Sequence, residues 1–304
     1  MRLTATAPAK VNLFLHVGPV AADGYHPLAS LVAFADVGDR VTVEPADRLS
    51  LSVVGPFGGG LEGPDNLILK ALTALGAAAE IDAPGLAVVL DKQLPVAAGL
   101  GGGSSDAGAA LRLAREALNM TADDAALIRI AAVVGADGPM CVFPASAWAE
   151  GRGDVLTPEP GLPPLHAVLV NPGAPSPTGA VYRAYDAGPA RAADRPAPPA
   201  DWRPETVIDW LAVQRNDLEG PAVALEPAIG EALAATAATP GVALARMSGS
   251  GATVFGLCFE ADAARLAAER LSAWRPGWWV RTCVLGGPSA QAREALEPSF
   301  THRD

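Results

Sequence analysis

Residues 94–111 read LPVAAGLGGGSSDAGAAL, the segment with the plainest chemistry in the chain. Four of the five residues from 99 to 103 are glycine. Without Cβ atoms, such a loop lets backbone N–H groups close on an anion, above all a phosphate. The helical pattern that follows brings a helix N-terminus to the same place, with free N–H donors and about half a positive charge. Ser104 and Ser105 add hydroxyls suited to phosphate oxygens or to Mg²⁺. No Gly-Lys-[Ser/Thr] follows, so the loop is not a Walker A motif, and the register of a dinucleotide fingerprint is missing. A flexible turn ahead of a capped helix is the plain alternative.

Other residues stand out by scarcity or spacing. The chain has only three lysines, Lys10, Lys70 and Lys92, against nineteen arginines. In so Arg-biased a composition, a remaining lysine points to a position that the wider, planar guanidinium cannot fill. A solvated surface lysine is the alternative for each. Lys10 and Asn12 are one strand period apart and project on the same side. Asp137, in GADGP, falls just past a helical pattern, where it either closes a turn or offers a carboxylate. Pro139 should hold Gly138 toward extended backbone. Tyr25 and His26, in DGYH, are either packing residues or a stacking and hydrogen-bonding pair for a ligand. Tyr182 follows Thr178 by four residues in PSPTGAVY, and SGSGA at 248–252 is a tight turn between strand-like runs.

The elements that must position these groups are legible in outline. Val11, Leu13 and Leu15 alternate with Asn12, Phe14 and His16, which predicts a strand with two distinct faces. Residues 30–44, 49–54, 86–91, 166–171 and 278–285 read as further strands. Helical periodicity marks 66–80, 104–118, 222–238 and 261–273, and a stretch from the capping-box-like start at Thr121 to about Gly135. Residues 187–204, rich in Ala and Pro without periodicity, read as an exposed loop. Strands and helices mix without strict βαβ alternation, which favours an α+β fold over a doubly wound sheet. Gly and Pro accumulate between 150 and 165, giving an expected division into 1–157 and 158–304.

Composition bounds the rest. With 304 residues, half of them hydrophobic, the chain can fill two domains. A net charge of -11 argues against nucleic acid or an anionic membrane as partner. It leaves small nucleotides open, because a site can be locally positive. No apolar run reaches the length of about 18 residues needed to span a bilayer, and no apolar h-region follows Arg2. The three cysteines, far apart and without a CxxC pair, indicate neither a zinc site nor a disulfide framework. A reducing cytoplasm is the expected compartment, with a monomer or homodimer as the expected assembly.

Together these segments resemble a known superfamily. PVAAGLGGGSSDA resembles the second motif of the GHMP kinases, APAKVNLFLHV at 7–17 their first and RMSGSGATVFG at 246–256 their third. DGYHPL at 23–28, GADGP at 135–139 and NDLEGP at 216–221 are similar to the diphosphocytidyl-methylerythritol kinases within it. The resemblance implies a two-domain GHMP fold, α+β in its N-terminal half and ferredoxin-like in its C-terminal half. It implies transfer of the γ-phosphate of ATP to the 2-hydroxyl of a cytidine diphosphate substrate, 4-diphosphocytidyl-2-C-methyl-D-erythritol, in the non-mevalonate route to isoprenoid precursors. Mg²⁺ would accompany ATP, with no metal site of the protein's own.

By the same resemblance, Asp137 would accept or orient the substrate hydroxyl proton, and Lys10 beside it would stabilise charge on the transferring oxygens. Pro95, Val96, Ala97, Ala98, Gly99, Leu100, Gly101, Gly102, Gly103, Ser104 and Ser105 would hold the nucleotide phosphates, with Asn66 and Lys92 on adenosine. Asn12 and Thr178 would hydrogen-bond the substrate, Tyr25 and Tyr182 would stack on the two faces of cytosine, and His26 would read its edge. Gly138 departs from the family, which usually has a branched apolar residue there. A homoserine or mevalonate-type kinase would share the glycine loop but gives no reason for DGYH or the paired aromatics. A nucleotide-binding regulator without catalysis is disfavoured by the presence of both Lys10 and Asp137.

Overall fold

The computed structural model describes residues 1–81, 84–189 and 191–286. Residue 190 of the expected 187–204 loop and residues 287–304 of the expected second domain lie outside the described residues. Strand β1 (Leu3–Val17) and strand β2 (Leu28–Pro45) form a long antiparallel pair running from Leu3↔Val43 to Val17↔Leu28. Lys10 is therefore in mid-strand. The register slips between Pro8 and Lys10 and again between Asn12 and Phe14. Such bulges re-aim side chains. The simple alternation expected for β1 consequently fails: Phe14 joins Val11 and Leu13 in one core cluster, while Leu15 and Val17 enter another.

Strands β3 (Ser50–Val54), β4 (Leu86–Asp91), β5 (Ala147–Gly151) and β6 (Val155–Pro158) complete the first sheet. β2 pairs with β1, β4 and β5, β3 lies parallel on β4, and β6 pairs with β5. Helices α1 (Leu67–Ala78), α2 (Gly102–Ala117), α3 (Asp124–Val134) and the short α4 (Gly138–Val142) belong to this half. α3 is capped by Asp123, which accepts from the Ala126 N–H, and not by a box starting at Thr121. α2 is apolar or small almost all round, and residues Ser105 to Leu111 are all buried. Its Gly108 lets α4 approach closely, since a Cβ there would lie 2.3 Å from the Cys141 carbonyl oxygen.

The second half contains β7 (Leu165–Asn171), α5 (Thr178–Asp186), α6 (Pro204–Ala212), α7 (Glu219–Leu225), α8 (Pro227–Ala238), β8 (Leu244–Met247), β9 (Val254–Cys258), α9 (Ala261–Trp274) and β10 (Trp279–Leu285). The helix expected over 222–238 is two helices. Pro227 disfavours helical backbone at the residue before it, and Glu226 is extended at φ -135° and ψ 92°. The strand order β10-β7-β9-β8, antiparallel throughout, is the ferredoxin-like arrangement. Leu285 pairs with Ala35 and joins the two sheets. A shared core spans that seam, with Val11, Leu13, Phe14 and Leu31 from one side and Leu165, Leu169, Phe255 and Leu285 from the other. No described helix is long and apolar enough to cross a membrane.

Candidate active site

The N-terminus of α2, the middle of β1, the start of α4, the turn after β8 and helix α5 meet around one cavity of about 970 Å³. On its floor Lys10 is 5% exposed. Its Nζ lies 3.2 Å from Asp137 Oδ2 and donates to Asn12 Oδ1 at 2.9 Å. Asn12 Nδ2 donates to Ser30 Oγ at 2.8 Å, so both ends of this amide are engaged while the residue lines the cavity. The same-side projection of Lys10 and Asn12 is realised. Asp137, whose side chain is 39% exposed, faces the cavity from the start of α4.

Gly138 is helical and not extended as Pro139 had implied. A Cβ on it would fall 2.1 Å from the Ala131 carbonyl oxygen. The glycine thus lets α3 pack directly on the loop that carries Asp137.

The glycine loop has the geometry its composition requires. Gly99 and Gly101 sit at φ +73° and +60°, where L side chains are strained. Space is closed as well: a Cβ on Gly99 would lie 2.3 Å from the Ser248 carbonyl oxygen, and one on Gly101 3.1 Å from Lys10 Cε. The first turn of α2 has no side-chain cap, and Gly102, Gly103 and Ser104 line the cavity. Their helix end is therefore open to an anion. Pro95, Val96, Ala97 and Ala98 line it too. Leu100 and Ser105 do not. Leu100 is core, with its carbonyl accepting from Lys10 N, and Ser105 Oγ donates to Cys141 Sγ at 3.4 Å in the interior.

The turn after β8 locks onto this loop. Ser248 Oγ donates to the Gly99 carbonyl at 2.9 Å and accepts from Asn12 N at 3.1 Å. Thr178 Oγ1, at the start of α5, is 2.9 Å from Ser250 Oγ. Tyr182 on the same helix packs over His26 with ring centroids 5.0 Å apart. Burial, helped by Asp137, pushes the Tyr182 hydroxyl up to about 12, so the ring stays neutral. Tyr25 lines the cavity and is 55% exposed.

His26 lines the cavity as well, but its nitrogens face protein. Nδ1 is 2.9 Å from the Gly18 carbonyl and Nε2 is 3.3 Å from Asp186 Oδ1. The ring packs against Tyr182, and these two contacts hold its orientation in the cavity wall.

Comparison with known proteins places the chain. The family description "GHMP kinases N terminal domain" matches residues 66–145, and "GHMP kinases C terminal" matches residues 206–276. A 4-diphosphocytidyl-2-C-methyl-D-erythritol kinase of Caulobacter sp. (strain K31) is 56% identical over 292 residues, which is 95% of this chain and 100% of that protein. The chain belongs to the 4-diphosphocytidyl-2-C-methyl-D-erythritol kinase family. A crystal structure of 4-(cytidine 5'-diphospho)-2C-methyl-D-erythritol kinase matches it with a TM-score of 0.74 and 36% identity, covering 94% of this chain and 100% of the other. The homoserine kinase from Cytophaga hutchinsonii shares the fold alone, with a TM-score of 0.69 at 16% identity over 95% of this chain and 96% of its own.

Within this kinase, two residues expected on adenosine carry structural duties. Asn66 is the N-cap of α1, with its Oδ1 accepting from Ile68 N and its Nδ2 donating to the Leu61 carbonyl. Lys92 lines the cavity but is 3% exposed, and its Nζ donates to Asp39 Oδ2 at 2.5 Å and Asp106 Oδ2 at 2.7 Å. Burial alone would lower the Lys92 ammonium, yet the two carboxylates outweigh it and raise its pKa. Burial pushes the Asp106 carboxyl up, against the pull of Lys92. Asp39 also accepts from the N–H groups of Gln93 and Leu94, tying the segment that leads from β4 into the glycine loop.

Sequence reasoning missed Asp39 and Asp106, although Asp106 stands inside the quoted glycine motif. It also left the NDLEGP segment without a task. Asn216 Nδ2 donates to the Met247 and Gly249 carbonyls, and Asp217 accepts from Val17 N. The motif itself was the signal.

Replacing Lys92 by methionine should leave two buried carboxylates without their cation and destabilise the fold by about 3–5 kcal/mol. Asp106→Asn, which keeps an oxygen for Lys92, should cost less. Urea unfolding midpoints of the two variants check the contrast, and equal midpoints would mean that the triad is not a unit.

Proposed function

We propose that this enzyme transfers the γ-phosphate of ATP to the 2-hydroxyl of 4-diphosphocytidyl-2-C-methyl-D-erythritol, giving the 2-phosphate. Family membership supports the reaction. The observation that carries the site is that one cavity holds the Lys10–Asp137 pair against the glycine loop and also Tyr25 and Tyr182. In this reading the ATP phosphates lie at the open N-terminus of α2. Ser104 is a hydroxyl there that faces the cavity, and a hydroxyl beside phosphate oxygens is the hard donor set that Mg²⁺ favours. Mg²⁺ supplies charge neutralisation on the transferring phosphoryl group when bound. Asp137 takes the proton as the substrate hydroxyl oxygen bonds to the γ-phosphorus, the bond to the β-phosphate oxygen breaks, and ADP leaves. Lys10 stabilises the equatorial oxygens, with Asn12 holding it in place. We place the division between the domains at 157/158, one residue before the end of β6.

A coupled assay of ADP release tests the reaction, with the cytidyl substrate, homoserine and mevalonate as acceptors. Turnover confined to either of the last two would overturn it. For the cytidyl end, Tyr25→Ala should weaken the substrate by about ten- to a hundredfold, as expected for a lost base stack. ATP affinity should hold within about twofold, because its adenine binds elsewhere. Titration calorimetry with each ligand reads both, and equal losses for the two would remove Tyr25 from the substrate.

A further inference from the structure

We propose that Arg152 is a positioning residue for the cytidyl substrate, acting through Tyr25. The inference rests on the reading of Tyr25 as a stacking platform. Arg152 stands in the Gly151-Arg152-Gly153 turn between β5 and β6, far in sequence from the loop that carries Tyr25. Its guanidinium carbon lies 4.3 Å from the centroid of the Tyr25 ring. The guanidinium is fixed in turn, because its Nη2 donates to Asp23 Oδ2 at 2.9 Å. The other oxygen of the same carboxylate accepts from Tyr25 N at 3.0 Å. Asp23 thus holds both the backbone of the tyrosine and the cation on its ring. The turn is braced on its own side, with Arg152 N donating to Asp154 Oδ1 at 2.9 Å.

Stability does not account for this arrangement. The side chains of Arg152 and Asp23 are 50% and 47% exposed, and ion pairs so exposed contribute little to the fold. Its consequence lies in the cavity that Arg152 and Tyr25 both line. A half-exposed tyrosine left alone would lose rotamer freedom each time a base stacked on it, and that ordering weakens binding. With a guanidinium over one face, the ring is ordered in advance and has one face left to offer. Tyr182, in the same cavity, is treated likewise, with His26 packed against it. Both rings therefore meet the base already backed.

The test is a double-mutant cycle on the full chain, with each substrate varied in turn at a saturating level of the other. Arg152→Ala should raise KM for the cytidyl substrate about three- to tenfold, while kcat and the KM for ATP move less than about twofold. In the Tyr25→Ala background the same substitution should change the substrate KM less than about 1.5-fold, because the ring it orders is gone. Asp23→Asn, which keeps an acceptor for Tyr25 N but loosens the guanidinium, should give a smaller rise in the same direction. A full effect of Arg152→Ala in the Tyr25→Ala background would overturn the proposal and put Arg152 on the substrate itself, as a contact to its diphosphate. An unchanged KM in Arg152→Ala alongside a raised KM in Tyr25→Ala would overturn it while leaving the stacking reading standing. An unchanged KM in Tyr25→Ala would remove both.

Discussion

Asp137→Asn should retain the fold and ATP binding and lose turnover by about a hundred- to ten-thousandfold, the range for a positioned proton acceptor. The amide is nearly isosteric, so α4 and its packing on α3 through Gly138 stay intact. What changes is charge and proton affinity. The amide cannot take the hydroxyl proton, and the ion pair of Asp137 with Lys10 Nζ at 3.2 Å becomes at most an ion–dipole contact. Lys10 keeps its second partner, Asn12 Oδ1, and so stays near its place. The loss should therefore fall on kcat, with KM for ATP close to that of the unmodified enzyme. Steady-state assays with both substrates varied give the split. Turnover within about tenfold of the parent would take Asp137 out of the proton-accepting role and leave positioning as the source of the rate.

Gly101→Val should abolish detectable ATP binding, a fall of more than about a hundredfold. Two effects combine. The residue sits at φ +60°, a left-handed conformation that a β-branched side chain resists. The added Cβ would also meet Lys10 Cε at 3.1 Å and Lys10 Cβ at 3.2 Å, so the lysine would have to move. The loop would flatten, and the amides at the start of α2 would no longer converge on a phosphate. Gly103→Ala is the internal comparison, because its nearest neighbour is the Leu67 side chain at 3.2 Å and its backbone is not left-handed. That change should weaken ATP far less. Calorimetry on folded samples, matched by circular dichroism, reads both variants. Equal affinities in Gly101→Val and the parent would reduce the loop to a connector.

The amino-acid sequence by itself determined whatever depends on short range. The glycine run ahead of a helical pattern specified a left-handed loop opening on a helix N-terminus, because backbone freedom and helix-end donors are local properties. Strand parity put Lys10 and Asn12 on one side, and their hydrogen bond bears this out. Pro227 already carried the break between α7 and α8, although periodicity alone ran the two together. Tertiary structure decided the pairings. Lys92 meets Asp39 across 53 positions of chain, a contact that exists only because β2 and β4 share a register in which Arg40 faces Asp91. Asn66 and His26 had the right types for ligand contacts, and packing also gave their polar atoms partners in the protein, at the helix start and at the Gly18 carbonyl. Arg152 had no local signal at all. Its place over Tyr25 follows from β5 pairing with β2, where Gly151 lies opposite Leu28 and brings the turn beside the DGYH loop. Local pattern states what a segment can do. Which polar atoms remain free for a ligand is decided by the partners that long-range packing supplies, since buried polar groups must be satisfied by whatever is nearest.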